Sequence, residues 1–315
     1  MYQKLYSKLQ NELKRSRSSI ESFSKTAPNR YKVYTIPKRT SGHRVIAHPS
    51  RELKLFQKAL NTLLFDTLKT HFCSVAYAKG LSIKDNALRH AGNSYLLKLD
   101  FNDFFNSIEP DLFFVICELQ EINFSNAEKR LLTQLCFWNK TKSDNTKLVL
   151  SVGAPSSPMI SNFVMTVFDE LMYKHCRVQG ITYSRYADDL TFSTNKKNIL
   201  FDIPTFVETV LVAYYASKIS INPEKTCYSS KKHNRHVTGI TISNTGELSL
   251  GRERKRMISA MIHNFKVGSL DSDDYAYLQG LLSFARHIEP KFVDKFRKKY
   301  GDGLIDTIIK GNFNE

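Results

Sequence analysis

The stretch SRYADDLTFS, residues 184–193, places two carboxylates side by side between two runs of alternating apolar and polar residues. Such alternation is typical of β-strands, and only Ala187 and Asp188 lie between the inner ends of the runs, the length of a two-residue hairpin loop. The sequence therefore predicts a β-hairpin with Asp188 and Asp189 at its tip. Because two like charges repel there, a bound cation explains the pair better than turn preference alone.

A second aspartate pair, Asp273 and Asp274, gives an internal comparison. It lies in GSLDSDDYAYLQGLLSF, where Ser272 and the acidic residues open a run with helical apolar spacing. Acidic residues favour the first turn of a helix because they interact with its dipole. We therefore expect this pair at a helix N-terminus, whereas nothing comparable stabilises the pair in the hairpin.

A third carboxylate, Asp100, ends the apolar run YLLKLD at residues 95–100. A strand that stops on an aspartate holds that side chain rigidly. Three carboxylates that converge within ~4 Å repel by a few kcal/mol per pair at an effective dielectric constant of about 20. Two Mg²⁺ ions relieve this repulsion and stabilise the attacking and leaving oxygens of a phosphoryl displacement. The sequence thus predicts a site for two magnesium ions, and the alternative is three unrelated surface aspartates.

The charge balance indicates a polyanionic partner. The chain of 315 residues has a formal net charge of +16, from 46 Lys and Arg against 30 Asp and Glu. Nucleic acid is the leading candidate, ahead of an anionic membrane surface. No apolar run approaches the ~18 residues of a membrane span, and the N-terminus MYQKLYSKLQ lacks the apolar core of a secretory signal. We expect a cytoplasmic protein without a membrane partner, whose five cysteines lack metal-ligand spacing and are reduced thiols.

Apolar periodicity predicts a mixture of helices and strands. Leu5, Leu9 and Leu13 share one face of one or two N-terminal amphipathic helices. YKVYTIP and RVIAHP, separated by a short basic segment, have the signature of a hairpin. Further strands are expected at 95–100 and in HVTGITI, and further helices at 51–71, 110–138, 159–178, 203–217 and through most of the C-terminal third. The fold class is therefore α+β, built around an antiparallel sheet.

Three sequence boxes carry a family resemblance. Tyr186-Ala187-Asp188-Asp189 resembles the YxDD box of reverse transcriptases, LDFNDFF (99–105) resembles their motif A, and GAPSSPMISN (153–162) resembles their motif B. The boxes stand in the family's order and at roughly its spacing. NALRH (86–90) and HVTGI (236–240) are similar to the NAxxH and VTG signatures of bacterial retron reverse transcriptases, and RVIAHPSRELK (44–54) is similar to their early fingers segment. The resemblance covers roughly residues 30–290.

The resemblance implies a right-hand polymerase fold with fingers, an antiparallel-sheet palm and a helical thumb. We expect the N-terminal helical segment and fingers at 1–95, the palm with inserted fingers helices at 96–232, and the thumb at 233–315. The implied reaction is RNA-templated DNA synthesis, in which a 3′-OH attacks the α-phosphate of a dNTP. The retron resemblance further implies priming from the 2′-OH of a structured non-coding RNA, a branched RNA–DNA product (msDNA), an effector protein as partner and a role in anti-phage defence.

The resemblance also implies roles for individual residues at the reaction centre. Asp100, Asp188 and Asp189 would bind the two Mg²⁺ ions, with the backbone carbonyl of Phe101 as a further ligand. The residues implied at the incoming nucleotide are Arg44 for the triphosphate, Phe105 as a steric gate against the ribose 2′-OH, Gly153 and Ala154 of motif B, and Lys225 to protonate pyrophosphate. The alternatives are a core phenylalanine at 105 and a solvated surface lysine at 225.

Recognition of structured RNA is implied for the two signatures and for a basic segment. The signature residues are Asn86, His90, Val237, Thr238 and Gly239. The basic residues are Lys231, Lys232, Arg235, Arg252, Arg254, Lys255 and Arg256, and only Glu247 and Glu253 oppose them between 225 and 256. Such a segment can follow the phosphates of an RNA or RNA–DNA duplex. The alternative is a solvated helix face.

One position departs from the family pattern, and two other functions stay open. Motif B usually has a glutamine before its glycine, but this chain has Val152, which cannot hydrogen-bond the nucleotide. The other functions are a group II intron-like reverse transcriptase and an inactive RNA-binding module with the same fold. The NAxxH and VTG signatures argue against the first, and the three aspartates argue against the second.

Overall fold

The computed structural model describes residues 4–37, 42–141 and 147–310. The α-helices in these residues are α1 (Lys4–Leu13), α2 (Arg17–Thr26), α3 (Arg51–Leu64), α4 (Ile83–His90), α5 (Pro110–Leu119), α6 (Asn126–Cys136), α7 (Ser157–Val164), α8 (Thr166–Gln179), α9 (Ile203–Tyr215), α10 (Arg252–Lys266), α11 (Ser272–Ile288), α12 (Pro290–Tyr300) and α13 (Asp302–Lys310). The strands are β1 (Tyr31–Pro37), β2 (His43–Pro49), β3 (Tyr95–Asp100), β4 (Trp138–Asn139), β5 (Leu148–Val149), β6 (Thr182–Tyr186), β7 (Asp189–Thr194), β8 (Cys227–Ser230), β9 (Arg235–Val237), β10 (Ile240–Ile242) and β11 (Leu248–Ser249). The predicted α+β class is confirmed. Within the described ranges no helix is both long and apolar enough to cross a membrane.

The described residues divide into two compact units. Unit 1 takes its residues from Met1–Lys79, Lys98–Phe192 and Asn198–Cys227, and unit 2 from Gly80–Leu97, Ser193–Lys197 and Tyr228–Glu315.

Two short helices begin unit 1, as the leucine spacing predicts. Leu5 and Leu9 are buried, and α1 packs against α3. Ser16 caps α2 and Ser50 caps α3, because each side chain accepts a hydrogen bond from a backbone N–H of the first turn. These caps satisfy donors that a helix N-terminus leaves without a partner.

Strands β1 and β2 form the predicted antiparallel hairpin. Its register runs from Tyr31 opposite Pro49 to Pro37 opposite His43. Residues 38–41, which hold most of the basic segment between the strands, lie outside the described residues. The N–H of Ala47 in β2 donates to the carbonyl of Val152 at 3.1 Å, so this strand holds the turn that precedes α7.

A four-stranded sheet in the order β6-β7-β3-β8 joins the strands that carry the acidic residues. Only Ala187 and Asp188 connect β6 to β7, so the predicted two-residue loop is confirmed. Strand β3 ends at Asp100 as expected, and Leu99 within it is buried. At the start of β8, Cys227 is exposed, whereas the other four cysteines of the chain are buried.

Two segments predicted as single helices are each divided. The range 110–138 contains α5 and α6, because Glu121 adopts a left-handed φ of 58° and Ser125 starts a new helix with a capping box to Glu128. The prediction was wrong at its end, since α6 stops at Cys136 and Trp138 begins β4. Residues 159–178 belong to α7 and α8, which meet at Met165, and α7 already begins at Ser157. Apolar spacing continues through both breaks, so the pattern alone did not reveal them.

Unit 2 combines α4 with the three-stranded sheet β11-β10-β9 and the helices α10 to α13. The predicted strand HVTGITI is a tight hairpin, in which β9 and β10 pair antiparallel and turn at Thr238 and Gly239. Helix α11 begins at the second aspartate pair as predicted. Its N-cap is Asp271, whose carboxylate accepts a hydrogen bond from the N–H of Asp274 at 2.8 Å.

Candidate active site

Backbone hydrogen bonds fix the tip of the β6–β7 hairpin against the end of β3. The N–H of Phe101 donates to the carbonyl of Asp188 at 3.1 Å, and the N–H of Asn222 donates to the carbonyl of Asp100 at 2.7 Å. Phe101 also forms an antiparallel bridge with Ile221. The structure therefore brings Asp100 and Asp188 to neighbouring backbone positions, with Asp189 next along the chain.

Desolvation and neighbouring carboxyl groups disfavour the charged forms of Asp188 and Asp189. Desolvation, and then the charge of Asp100, raise the pKa of Asp188. The side chain of Asp189 is solvent-accessible, yet desolvation by the surrounding protein, the charge of Asp188 and a hydrogen bond with Asp100 raise its pKa to about 7. Raised pKa values among like-charged, partly desolvated carboxyls are typical of functional sites.

Basic side chains oppose part of this repulsion. Nζ of Lys225 lies 2.5 Å from Oδ1 of Asp100, on a side chain that is more than half exposed. The charges of Lys225 and Arg44 act to lower the pKa of Asp188, and that of Lys98 acts to lower the pKa of Asp189. Arg44 is exposed on β2. The pKa values of both aspartates are still raised, so these basic side chains do not neutralise the cluster.

The donor atoms of the cluster suit a hard divalent cation. Asp100, Asp188 and Asp189 offer carboxylate oxygens, which are the ligands that Mg²⁺ prefers. In the part of the chain that the structure describes, no three His, Cys, Asp or Glu side chains are already gathered at metal-binding distance. Asp189 interacts with both Asp188 and Asp100, and a bound cation would relieve the repulsion that, together with desolvation, raises the pKa values of Asp188 and Asp189. The residues present therefore fit such an ion.

The residues expected at the nucleotide lie on other elements of unit 1. Phe105 is half-buried in the 3₁₀ turn Phe104–Ser107, and its ring centroid lies 5.5 Å from that of Phe104. Gly153 is exposed with a φ of 117°, and a Cβ there would lie 3.3 Å from Cγ2 of Ile46. Ala154, the next residue, is buried.

Three residues that the sequence analysis did not single out connect the hairpin to helices. Arg185 and Asp169 form an ion pair with both side chains fully buried, and Asn162 accepts a hydrogen bond from Arg185. Arg185 directly precedes the YADD box, and a charged residue inside an apolar strand was the available signal. Asp169 and Asn162 lie in helices whose spacing gave no such signal.

Tyr77 is a further neighbour of the acidic cluster, and the sequence pattern around it did not indicate this position. Its side chain is exposed, and its backbone has a left-handed φ of 61°. Desolvation and the charge of Asp188 raise the pKa of its phenol, whereas the charge of Arg44 acts to lower it. An exposed aromatic ring thus stands within electrostatic reach of the carboxyls.

In unit 2 the residues of the NAxxH signature are buried. Asn86 and His90 are both 0% exposed, as is Val237 of the VTG signature. Nδ1 of His90 shares a hydrogen bond with Oγ of Ser193 at 2.7 Å, and burial lowers the pKa of His90 to about 3. This burial counts against direct RNA contacts by the three side chains, because they pack inside the unit.

The VTG turn presents backbone at the surface. Thr238 and Gly239 have φ values of 47° and 78°, and Gly239 is exposed. A β-branched residue in the left-handed region costs about 1–3 kcal/mol and persists only where its surroundings enforce it. Here Oγ1 of Thr238 donates to the carbonyl of Ile83 at 3.2 Å. The turn is therefore anchored to the start of α4, the helix that carries Asn86 and His90.

The basic residues of unit 2 differ in their availability. Arg235 is buried and donates to the backbone carbonyls of Asn93 and Ser243, so burial also counts against its contact with phosphate. Arg254 lies over the ring of Phe284, and Nζ of Lys255 lies 2.6 Å from Glu289. The exposed members of the segment are Lys231, Lys232, Arg252 and Arg256.

Solved structures share the fold. A truncated apo telomerase from Candida tropicalis gives a TM-score of 0.50 at 16% identity, over 73% of this chain and 58% of that chain. Another apo telomerase structure from the same organism gives 0.50 at 14% identity, over 89% of this chain and 60% of that chain. The present chain thus spans about 60% of the telomerase length. The fold is the right-hand polymerase fold of the reverse transcriptase type.

Sequence comparison narrows this class. The model of the family described as reverse transcriptase (RNA-dependent DNA polymerase) matches residues 36–242. The retron Ec83 reverse transcriptase of Escherichia coli is 46% identical, over 96% of this chain and 97% of the relative. The retron Ec86 reverse transcriptase of Escherichia coli is 30% identical, over 93% of this chain and 90% of the relative. The chain belongs to the reverse transcriptase family and, within it, to the bacterial retron reverse transcriptases.

Proposed function

We propose that this protein is an RNA-directed DNA polymerase that copies a structured non-coding RNA into DNA. The observation that carries the proposal is the cluster of Asp100, Asp188 and Asp189, in which desolvation and neighbouring carboxyls raise the pKa values of Asp188 and Asp189. Repulsion between carboxylates destabilises a protein unless bound cations offset it. Phosphoryl transfer is a reaction that depends on such cations. Membership of the retron reverse transcriptases supports the same activity.

The three carboxylates would hold two divalent cations, which we assign as Mg²⁺. Cations bound there would stabilise the negative charge on the attacking and leaving oxygens of the displacement. The hydrogen bond from the N–H of Phe101 to the carbonyl of Asp188 keeps Asp100 and Asp188 adjacent, so that rotation of their side chains would bring their oxygens together. The carbonyl of Phe101 is the proposed additional ligand.

Other side chains of unit 1 bind and orient the dNTP. The exposed guanidinium of Arg44 binds the triphosphate, because its planar fork matches phosphate oxygens. The half-buried ring of Phe105 excludes a ribose 2′-OH, while Gly153 and Ala154 contribute backbone beside the nucleotide. Lys225, which already contacts Asp100, gives a proton to the leaving pyrophosphate.

The template and primer belong to one structured RNA. Synthesis begins at an RNA 2′-OH and gives a branched RNA–DNA product, and the protein works with an effector in anti-phage defence. The VTG turn and the exposed Lys231, Lys232, Arg252 and Arg256 contact the RNA, whereas Asn86, His90, Val237 and Arg235 support that surface from inside. The assignment of fingers to 1–95, palm to 96–232 and thumb to 233–315 remains part of this proposal.

Replacement of the hairpin aspartates tests the activity, and the chain supplies its own control. The variant Asp188→Ala, Asp189→Ala should lower primer extension on an RNA template at least about 100-fold, while RNA binding survives. The control Asp273→Ala, Asp274→Ala removes the same charges from the first turn of α11 and should leave extension unchanged. Retained synthesis in the hairpin variant would refute the assignment of the carboxylates.

Sequencing of nucleic acid that co-purifies with the protein tests the substrate. A bound, branched RNA–DNA species supports the retron reaction. Intron RNA or random RNA in its place would contradict it.

A further inference from the structure

A buried ion pair lies beside the loop that carries the hairpin aspartates. Arg185 of β6 and Asp169 of α8 both have fully buried side chains. Nε of Arg185 donates to Oδ1 of Asp169 at 2.9 Å, and its Nη2 donates to Oδ2 at 2.6 Å. The hydroxyl of Tyr183 donates to the same Oδ1 at 2.7 Å. Two parallel bonds of this kind depend on the planar guanidinium, which a lysine lacks.

The remaining nitrogen of the guanidinium reaches the loop itself. Nη1 of Arg185 donates to the carbonyl of Ala187 at 3.0 Å and to Oδ1 of Asn162 at 3.1 Å. Ala187 has a φ of 56°, in the left-handed region that a Cβ disfavours. The buried bond to its carbonyl therefore holds a loop conformation that local preference would not select. Asp188 follows directly in the chain.

The same arginine fixes a second segment of unit 1. Its backbone N–H donates to the carbonyl of Cys73 at 2.9 Å, and its carbonyl accepts from the N–H of Val75 at 2.8 Å. Nδ2 of Asn162 donates to the carbonyl of Ala76 at 2.8 Å. Arg185 thus links α7, α8 and residues 73–76 to the hairpin loop.

Stability alone does not explain this choice of residues. A buried ion pair can often be replaced by apolar side chains of similar volume without loss of stability. Only a guanidinium has enough donors in one plane to bond Asp169, Asn162 and Ala187 together. We propose that Arg185, held by Asp169, is a positioning residue that sets the backbone at Ala187 and hence the metal-binding orientation of Asp188 and Asp189. This inference rests on the proposed function.

The first test exchanges the guanidinium for an ammonium. Arg185→Lys keeps the charge opposite Asp169 but cannot also bond Asn162 and Ala187. The kcat of primer extension should fall about 100-fold, the KM for dNTP should change little, and the Mg²⁺ concentration for half-maximal rate should rise. An unchanged kcat and an unchanged Mg²⁺ requirement would overturn the proposal.

Tyr215→Phe is the matched control for the loss of buried hydrogen bonds. The hydroxyl of Tyr215 accepts from the N–H of Phe168 and donates to the carbonyl of Val164, and the residue is fully buried. Removal of this hydroxyl should lower the unfolding temperature but leave the Mg²⁺ requirement of primer extension unchanged. If Tyr215→Phe shifted the Mg²⁺ requirement as much as Arg185→Lys, the role of Arg185 would be structural only.

The second test removes the positioning group while preserving the fold. The triple variant Arg185→Met, Asp169→Leu, Tyr183→Phe replaces the ion pair and the hydroxyl that bonds to it with apolar groups. It should unfold near the temperature of the unmodified protein, yet extend primers about 100-fold more slowly. Mn²⁺ binding to the protein without nucleic acid, followed by electron paramagnetic resonance, should weaken about tenfold. Normal extension with unchanged Mn²⁺ affinity would refute the proposal.

Failure of this inference can be told apart from failure of the proposed function. If the unmodified protein does not extend a primer on an RNA template, the proposed function is wrong, and if the variant Asp188→Ala, Asp189→Ala still synthesises DNA, the assignment of the carboxylates is wrong. If that variant is inactive and the folded triple variant is fully active, only the positioning role of Arg185 is wrong.

Discussion

The aspartates of the hairpin destabilise the folded protein when no cation is bound. Because the pKa values of Asp188 and Asp189 are raised, the folded state binds protons at these carboxyls more tightly than the unfolded state does. Their contribution to stability is therefore present at low pH and is lost as the pH rises through the raised pKa values. Cation binding reverses this loss, which couples folding of the tip to occupation of the site.

Replacing Asp189 with Asn should raise the thermal midpoint of the cation-free protein by a few degrees at pH 8. The reason is that one of the mutually repelling charges is removed. The gain should shrink at pH 5, where the Asp189 carboxyl is protonated in the folded protein because its pKa is about 7. Scanning fluorimetry in EDTA measures both gains, with Asp273→Asn as the control for net charge. Equal gains at the two pH values would mean that repulsion is not the cause.

Phe105 offers a prediction about nucleotide choice. Phe105→Ala should lower the preference for dNTP over rNTP by about 10- to 200-fold, since the bulk that meets the 2′-OH is lost. Single-nucleotide incorporation gives the ratio of the two kcat/KM values. Phe104→Leu is the control, because Phe104 is the buried neighbour whose loss affects packing alone. A ratio unchanged in Phe105→Ala would identify the ring as a core residue without a gating role.

At the scale of elements, the sequence pattern correctly predicted the structural features that a few consecutive residues determine. The β6–β7 hairpin, the end of β3 at Asp100 and the start of α11 each depend on a few consecutive residues, and all three were predicted. The ion pair between Arg185 and Asp169 joins residues that are 16 positions apart, and it exists only because α8 packs against β6. No alternation or motif reports such a pairing.

Burial was the other property that the sequence did not reveal. The NAxxH signature indicated a function for Asn86 and His90, yet both are buried in unit 2, where His90 shares a hydrogen bond with Ser193. Their side chains are polar, and polar residues are usually exposed. Their burial follows from the packing of α4, which carries both residues, against β9 and β10.

The burial of His90 makes the stability of the protein sensitive to acid. Folding lowers the pKa of His90 from 6.5 to about 3. Between these pH values the unfolded chain binds a proton at His90 and the folded protein does not. Stability should therefore decrease as the pH falls below 6.5, by at most about 1.4 kcal/mol per pH unit from this group.

Urea unfolding between pH 7 and pH 5 measures the His90 effect. His90→Gln should be less stable than the unmodified protein at pH 7 but should lose less stability on acidification. His233→Gln, which changes an exposed histidine, is the control and should follow the unmodified protein. Parallel curves for His90→Gln and the unmodified protein would contradict the prediction.

At the scale of the whole molecule, the net charge of +16 suits a protein that holds a long polyanion. Part of this charge lies at the surface of unit 2, where Lys231, Lys232, Arg252 and Arg256 are exposed. Binding through such residues releases counterions from the nucleic acid, so the affinity should fall steeply with salt.

A salt titration of RNA binding tests this surface. The variant Lys231→Gln, Lys232→Gln should reduce the slope of log affinity against log salt by about 0.7 to 0.9 for each lysine that contacts a phosphate. Lys25→Gln, an exposed lysine of α2, serves as the control and should leave the slope as it is. An unaltered slope in the double variant would show that the two lysines do not contact phosphate.

The unequal burial of the five thiols has a practical consequence. Burial raises the pKa values of Cys117, Cys136 and Cys176 to about 12, and Cys73 is buried as well, so Cys227 is the accessible nucleophile. A maleimide dye should attach there without any engineered substitution. Cys227 lies two positions after Lys225. The fluorescence of a dye on Cys227 would therefore report in real time when template, primer or nucleotide binds beside the acidic cluster.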